Sequence, residues 1–110
     1  MNDEQIKWLA EKLNWVNPWD ASCNPMKDYY EDALEHGTMM AYFETGTWHL
    51  RPAGAWDVVT KMGVHGEVEF WHDEATGWYC HLGGKCRAGI SADPIQAVTK
   101  AVIAMWEGEN

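Results

Sequence analysis

The chain has 110 residues, and at this length folding buries roughly 60–70% of the unfolded surface, enough for one core. Apolar residues make up 46% and charged residues 23%, a globular composition that excludes a disordered chain. Seventeen acidic against eight basic side chains leave a net charge of −9, a field that repels phosphate and speaks against direct nucleic-acid binding.

The first predicted element is a helix from about Asp3 to Asn14, with Ile6, Leu9, Ala10 and Leu13 on one side and Glu4, Lys7 and Glu11 on the other. Trp8 projects into the polar arc, where it either packs under a later loop or meets a partner. Pro18 breaks the pattern, and residues 17–25 read as a loop. Asn24 then caps a helix that Pro25 opens and Gly37 closes. Met26, Tyr29, Tyr30, Ala33 and Leu34 share one face of it. Asp28, Glu31, Asp32 and Glu35 share the opposite face, where each close pair of carboxylates costs a few tenths of a kcal/mol, about 0.2–0.5. Such a stripe is either a solvated face or a docking surface for Lys and Arg of a partner.

A hairpin is predicted next, Thr38–Glu44 and Thr47–Arg51 around Thr45-Gly46. Pro52 opens a short helix with Ala55, Trp56, Val59 and Met62 on one side, and Gly63 stops it. The clearest strands are Glu67–His72 and Trp78–Leu82, flanking the turn 73–77. If His72 opposes Trp78, one face carries Val68, Phe70, Cys80 and Leu82, which is core. The other carries Glu67, Glu69, Trp71, Tyr79 and His81, an aromatic and acidic face that is either covered by another layer or exposed for recognition. Residues 83–92 are Gly-rich and read as a loop, or as a loop plus a short edge strand at Arg87–Ile90. The last helix is capped by Asp93 with Pro94 at the first turn and Gln96 in capping-box position. Ile95, Val98, Val102, Met105 and Trp106 form its stripe over 93–107, and Gly108 ends it. The expected fold is therefore α+β: a single domain over 1–110, an antiparallel sheet of about four strands packed with three or four helices.

Eight tryptophans exceed what a small core requires. Large rings bury area with few residues, and about five are expected in the core, the others serving as surface anchors.

Three pieces, in order, resemble the phage α/β/α-sandwich domain, a family of small phage and prophage proteins. They are Ala10-Glu11-Lys12-Leu13 with Trp15; Ala55-Trp56-Asp57-Val58-Val59-Thr60-Lys61-Met62; and the stretch from Trp78-Tyr79 to Ala92-Asp93-Pro94-Ile95-Gln96-Ala97-Val98 with the closing helix. The resemblance implies an antiparallel sheet with helices on it and a phage or mobile-element origin. It implies no activity, cofactor or catalytic residue. Residues 17–51, with the acidic helix 25–36 and the first hairpin, fall outside the matching pattern and read as a segment added to the scaffold.

Catalytic chemistry finds little support. His72, Cys80, His81 and Cys86 are close in sequence, but His72 and Cys80 share a strand face while His81 points the other way, and no C-x2-C pair supplies a zinc knuckle. Cys80 is better read as a small buried hydrophobe. Cys80 and His81, on opposite faces, make no nucleophile–base dyad. Glu67 and Glu69 could do acid–base work, but alternating Glu on a strand is an ordinary solubilising pattern. No cofactor and no enzyme activity are expected. Three cysteines at irregular spacing fit reduced thiols in a cytoplasmic protein. No apolar run nears the roughly 20 residues that span a bilayer, and Met1-Asn2-Asp3-Glu4 lacks the basic start of a signal peptide.

Binding is the leading expectation. The stripe Asp28, Glu31, Asp32 and Glu35 and the cluster Glu67, Glu69, Asp73 and Glu74 have only Lys27 nearby as a compensating base. With Trp8, Trp71 and Tyr79 as anchors, they suit docking on a basic, nucleic-acid-handling host protein. On a phage-like scaffold this points to an accessory factor in the host cytoplasm that binds and modulates, by inhibiting, a host protein, with an anti-CRISPR or anti-restriction inhibitor as the specific form. Two other readings stand beside it. One is a sponge for a nucleotide signal that stacks a base on Trp or Tyr, with Lys85 and Arg87 lining its pocket. The other is a homo-oligomeric structural phage protein, with Trp71 and Tyr79 at a homodimer seam.

Overall fold

The computed structural model describes residues 1–15, 40–65, 68–82 and 88–109. The predicted acidic helix 25–36, and with it Asp28, Glu31, Asp32 and Glu35, lies outside the described residues, as does Glu67. No described helix is long and apolar enough to cross a membrane. Backbone contacts group the chain into two units, Met1–Gly54 and Ala55–Asn110.

In the first unit, helix α1 spans Asp3–Lys12. Asn2 starts it by accepting from the Gln5 amide at 2.8 Å, while the Gln5 side chain accepts from the Asn2 amide at 2.9 Å, a reciprocal capping box. The predicted face is the buried one: Ile6, Leu9 and Ala10 are fully buried and Leu13 nearly so. The helix stops two residues before Asn14 because Asn14 turns left-handed (φ 55°). The Trp15 amide then reaches back to the Ala10 carbonyl at 2.8 Å and the Asn14 amide to Glu11 at 3.2 Å, the Schellman pattern. That closure turns Trp15 inward, and it is buried rather than continuing the outer face begun by Trp8.

Strands β1 (Ala41–Glu44) and β2 (Thr47–Leu50) form the predicted hairpin. Thr45 (φ 53°) and Gly46 (φ 79°) make a two-residue turn with both residues left-handed, the geometry that matches strand twist. Ala41, Trp48 and Leu50 are buried on one face, with Phe43 beside Trp48 but 40% exposed. On the other face Tyr42 stacks on His49 at 5.1 Å, and the Arg51 guanidinium lies 4.9 Å from the Tyr42 ring centre. The edge of β2 is occupied by the chain's own start: the Trp48 amide donates to the Met1 carbonyl (2.8 Å) and the Met1 amino group to the Trp48 carbonyl (3.0 Å).

Helix α2 runs Pro52–His65 and crosses the unit boundary. It starts close against the hairpin: the Arg51 amide donates to the Met40 carbonyl (2.9 Å), and a Cβ at Gly54 would meet that same oxygen at 2.0 Å, so only glycine fits. Gly63 does not stop it, since glycine costs a helix interior only about 1 kcal/mol. Its buried residues are Ala55, Val58 and Met62; the predicted Trp56 and Val59 are instead 65% exposed and half-buried. Ala55 and Met62 keep their predicted place, while Val58 takes the inside in place of Val59 and Trp56 is left outside.

In the second unit, β3 (Glu69–Asp73), β4 (Gly77–His81) and β5 (Gly89–Ser91) form an antiparallel sheet in the order β3-β4-β5. His72 pairs with Trp78, the predicted register. Asp73 Oδ1 accepts from the Ala75 (2.7 Å) and Thr76 (3.3 Å) amides and shapes the three-residue loop. Among the described residues, the expected single sheet of about four strands is instead two sheets, of two and three strands.

Helix α3 (Pro94–Glu109) covers one face of this sheet, against β4 and β5. Asp93 Oδ1 caps it, accepting from the Ile95 (2.8 Å) and Gln96 (3.1 Å) amides. It passes Gly108 rather than ending there. Val98 and Val102 are buried as predicted, joined by Ala97, Thr99 and Ala101, while Ile95, Met105 and Trp106 are only half-buried. The reason is proximity: a Cβ at Gly89 would lie 2.1 Å from the Ala97 carbonyl oxygen and 2.6 Å from the Ala101 nitrogen. Backbone meets backbone there, so small residues fill the contact.

Candidate functional site

The sheet's two faces differ because strand side chains alternate. Phe70, His72, Trp78 and Cys80 share the α3 side, with Phe70 stacked on Trp78 at 5.2 Å. Cys80 is fully inaccessible, and burial pushes its thiol up to about 11, so it is neither a nucleophile nor a ready ligand at neutral pH. Among the described residues, no three His, Cys, Asp or Glu side chains come together as metal ligands.

On the opposite face the register places Trp71, Tyr79 and Ile90 in one row across all three strands. Trp71 stacks on Tyr79, with ring centres 4.8 Å apart and planes 25° from parallel. Trp71 is 46% and Ile90 47% exposed, and Tyr79 between them is half-buried. In the flanking rows Glu69 pairs with His81 and Asp73 with Gly77. The result is an apolar strip with a carboxylate on either side of Trp71 along β3. A strip of this kind can grip a surface by burying ring area.

The structure therefore brings together three predicted residues, Glu69, Trp71 and Tyr79. Trp8 is half-buried on α1, in the other unit, with Lys12 Nζ 5.3 Å from its ring centre. Ile90 is expected only at the end of a possible edge strand, not as a site residue; that strand is found at Gly89–Ser91. Among the described tryptophans, Trp15 and Trp48 are buried, Trp8, Trp78 and Trp106 half-buried, and Trp56 and Trp71 exposed; Trp19 lies outside the described residues.

Comparison with family models, curated proteins and solved structures finds no significant match for this chain.

Proposed function

We propose that this chain is a binding protein without catalysis of its own, which docks through the Trp71–Tyr79–Ile90 strip onto a basic surface of another protein. The observation that carries the reading is a large stacked aromatic pair left open on a sheet whose other face is already filled by α3. Exposed Trp and Tyr give large contact area at small entropic cost, and such rings dominate interface energies. A net charge of −9 accelerates encounter with a basic partner and repels nucleic acid itself. The phage-type origin, a cytoplasmic place of action in the host and an inhibitory, anti-defence role rest on the resemblance in the three quoted pieces. They are the specific form this proposal takes.

The test is affinity capture from a bacterial lysate, with wild type and a Trp71→Ala/Ile90→Ser variant as baits, eluted in steps of rising salt. A protein held by wild type, lost to the variant and released by salt supports the reading. Equal capture by both baits overturns it.

A further inference from the structure

The three-stranded sheet has two edges, and they are treated differently. On β5 the Ile90 carbonyl accepts from Lys100 Nζ at 3.0 Å, so a side chain of α3 closes that edge. On β3, among the described residues, the strand pairs with β4 alone. In an antiparallel ladder alternate residues turn their N–H and C=O away from the neighbour, so among the described residues β3 presents a row of backbone groups with no strand opposite. Beside that edge stand Glu69, Trp71 and Asp73, which share the open face at every second position.

The charges select the occupant. A second copy of β3, centred antiparallel on Trp71, would set Glu69 of each copy against Asp73 of the other. Like charges directly opposite destabilise a strand pair, so self-pairing is opposed twice over. A partner strand with Lys or Arg at those two positions turns both repulsions into attractions. An aliphatic or aromatic residue midway between them would lie beside Trp71 and extend the Trp71–Tyr79–Ile90 strip to a fourth strand.

Resting on the docking reading above, we propose that the β3 edge accepts an extended segment of a partner protein as an added strand. That segment has a basic–apolar–basic pattern at alternate positions. Main-chain hydrogen bonds would supply affinity, and the Glu69–Trp71–Asp73 row would supply specificity.

The test uses a heptapeptide of Thr, Lys, Val, Ile, Val, Lys and Thr, followed by amide NMR on the full chain. Controls replace both Lys by Glu, or the central Ile by Pro, which cannot complete a ladder. The basic peptide should bind, shift the amides of Phe70, Trp71 and His72 most, and weaken about tenfold against a Glu69→Lys/Asp73→Lys variant, which should prefer the acidic peptide. A Glu69→Gln/Asp73→Asn variant gives an intermediate result with less disturbance to the fold. Absence of peptide binding, shifts centred away from β3, affinity unchanged by charge reversal, or a wild-type dimer in light scattering would each overturn the proposal. The two readings fail separately. Lysate capture that needs Trp71 but is untouched by the peptide and by charge reversal keeps the docking face and removes edge pairing. Peptide binding at β3 together with capture indifferent to Trp71 does the opposite.

Discussion

The two hairpins each carry a tryptophan in cross-strand contact with a second ring, and each treats it differently. Trp48 on β2 touches Phe43, with ring centres 5.4 Å apart, and is 1% exposed. Its indole N–H donates to Asp3 Oδ1 at 3.0 Å, and its backbone amide and carbonyl are taken by Met1. Trp71 on β3 stacks more closely on Tyr79, yet among the described residues nothing accepts from its indole. Ring stacking is therefore not what sends a tryptophan inside. Burial needs a partner for the N–H and a cover for the ring, and only the first hairpin has α1 and Met1 to supply both. The second hairpin's cover, α3, lies on its other face.

Four substitutions or conditions break or sharpen that contrast. Trp48→Ala should cost about 3–5 kcal/mol, a large part of a small domain's stability, and appear as a lower urea midpoint. Gly89→Ala should cost about 3 kcal/mol, at the upper end of overpacking, because the new methyl meets helix backbone that cannot step aside. A null effect there would mean that α3 is not seated on β5. The buried Cys80 thiol adds a pH dependence. Its folded value of about 11 lies above the ordinary 9.0, so its contribution is whole below pH 9 and is lost as pH rises through 11. That contribution is on the order of 2 kcal/mol. Urea midpoints of wild type and Cys80→Ala should accordingly converge over that window, and a constant gap would contradict the burial. Trp71→Ala should move stability least, by about 0.5–1 kcal/mol for a cross-strand pair, while removing partner capture. If Trp71→Ala instead unfolds the chain as Trp48→Ala does, the open face is a structural one.

Much of this was readable from local signals. The α1 face, the Thr45-Gly46 turn, the His72–Trp78 register and the Asp93-Pro94 start each depend on residues close in sequence, and each is found where the spacing puts it. The pairing of Trp71 with Tyr79 followed from that register alone. What was not readable depends on distant or nearly balanced terms. The pairing of Met1 with a strand 47 residues away has no local signal. Whether Val58 or Val59 turns inward is a choice between adjacent positions of one helix, and composition does not decide it. The overrun at Gly63 and Gly108 reflects a glycine penalty small enough for a packed helix to absorb. Ile90 stands at the end of a possible edge strand, but its place in the Trp71–Tyr79 row depends on how that strand pairs with β4, which local sequence does not give.

The seat at position 89 has a use for genetics. In a saturation library selected for folding alone, position 89 should reject every replacement while position 90 accepts most of them. Such a step in tolerance between adjacent codons would report which way each side chain of β5 points, and so fix the strand's phase from growth or display counts alone.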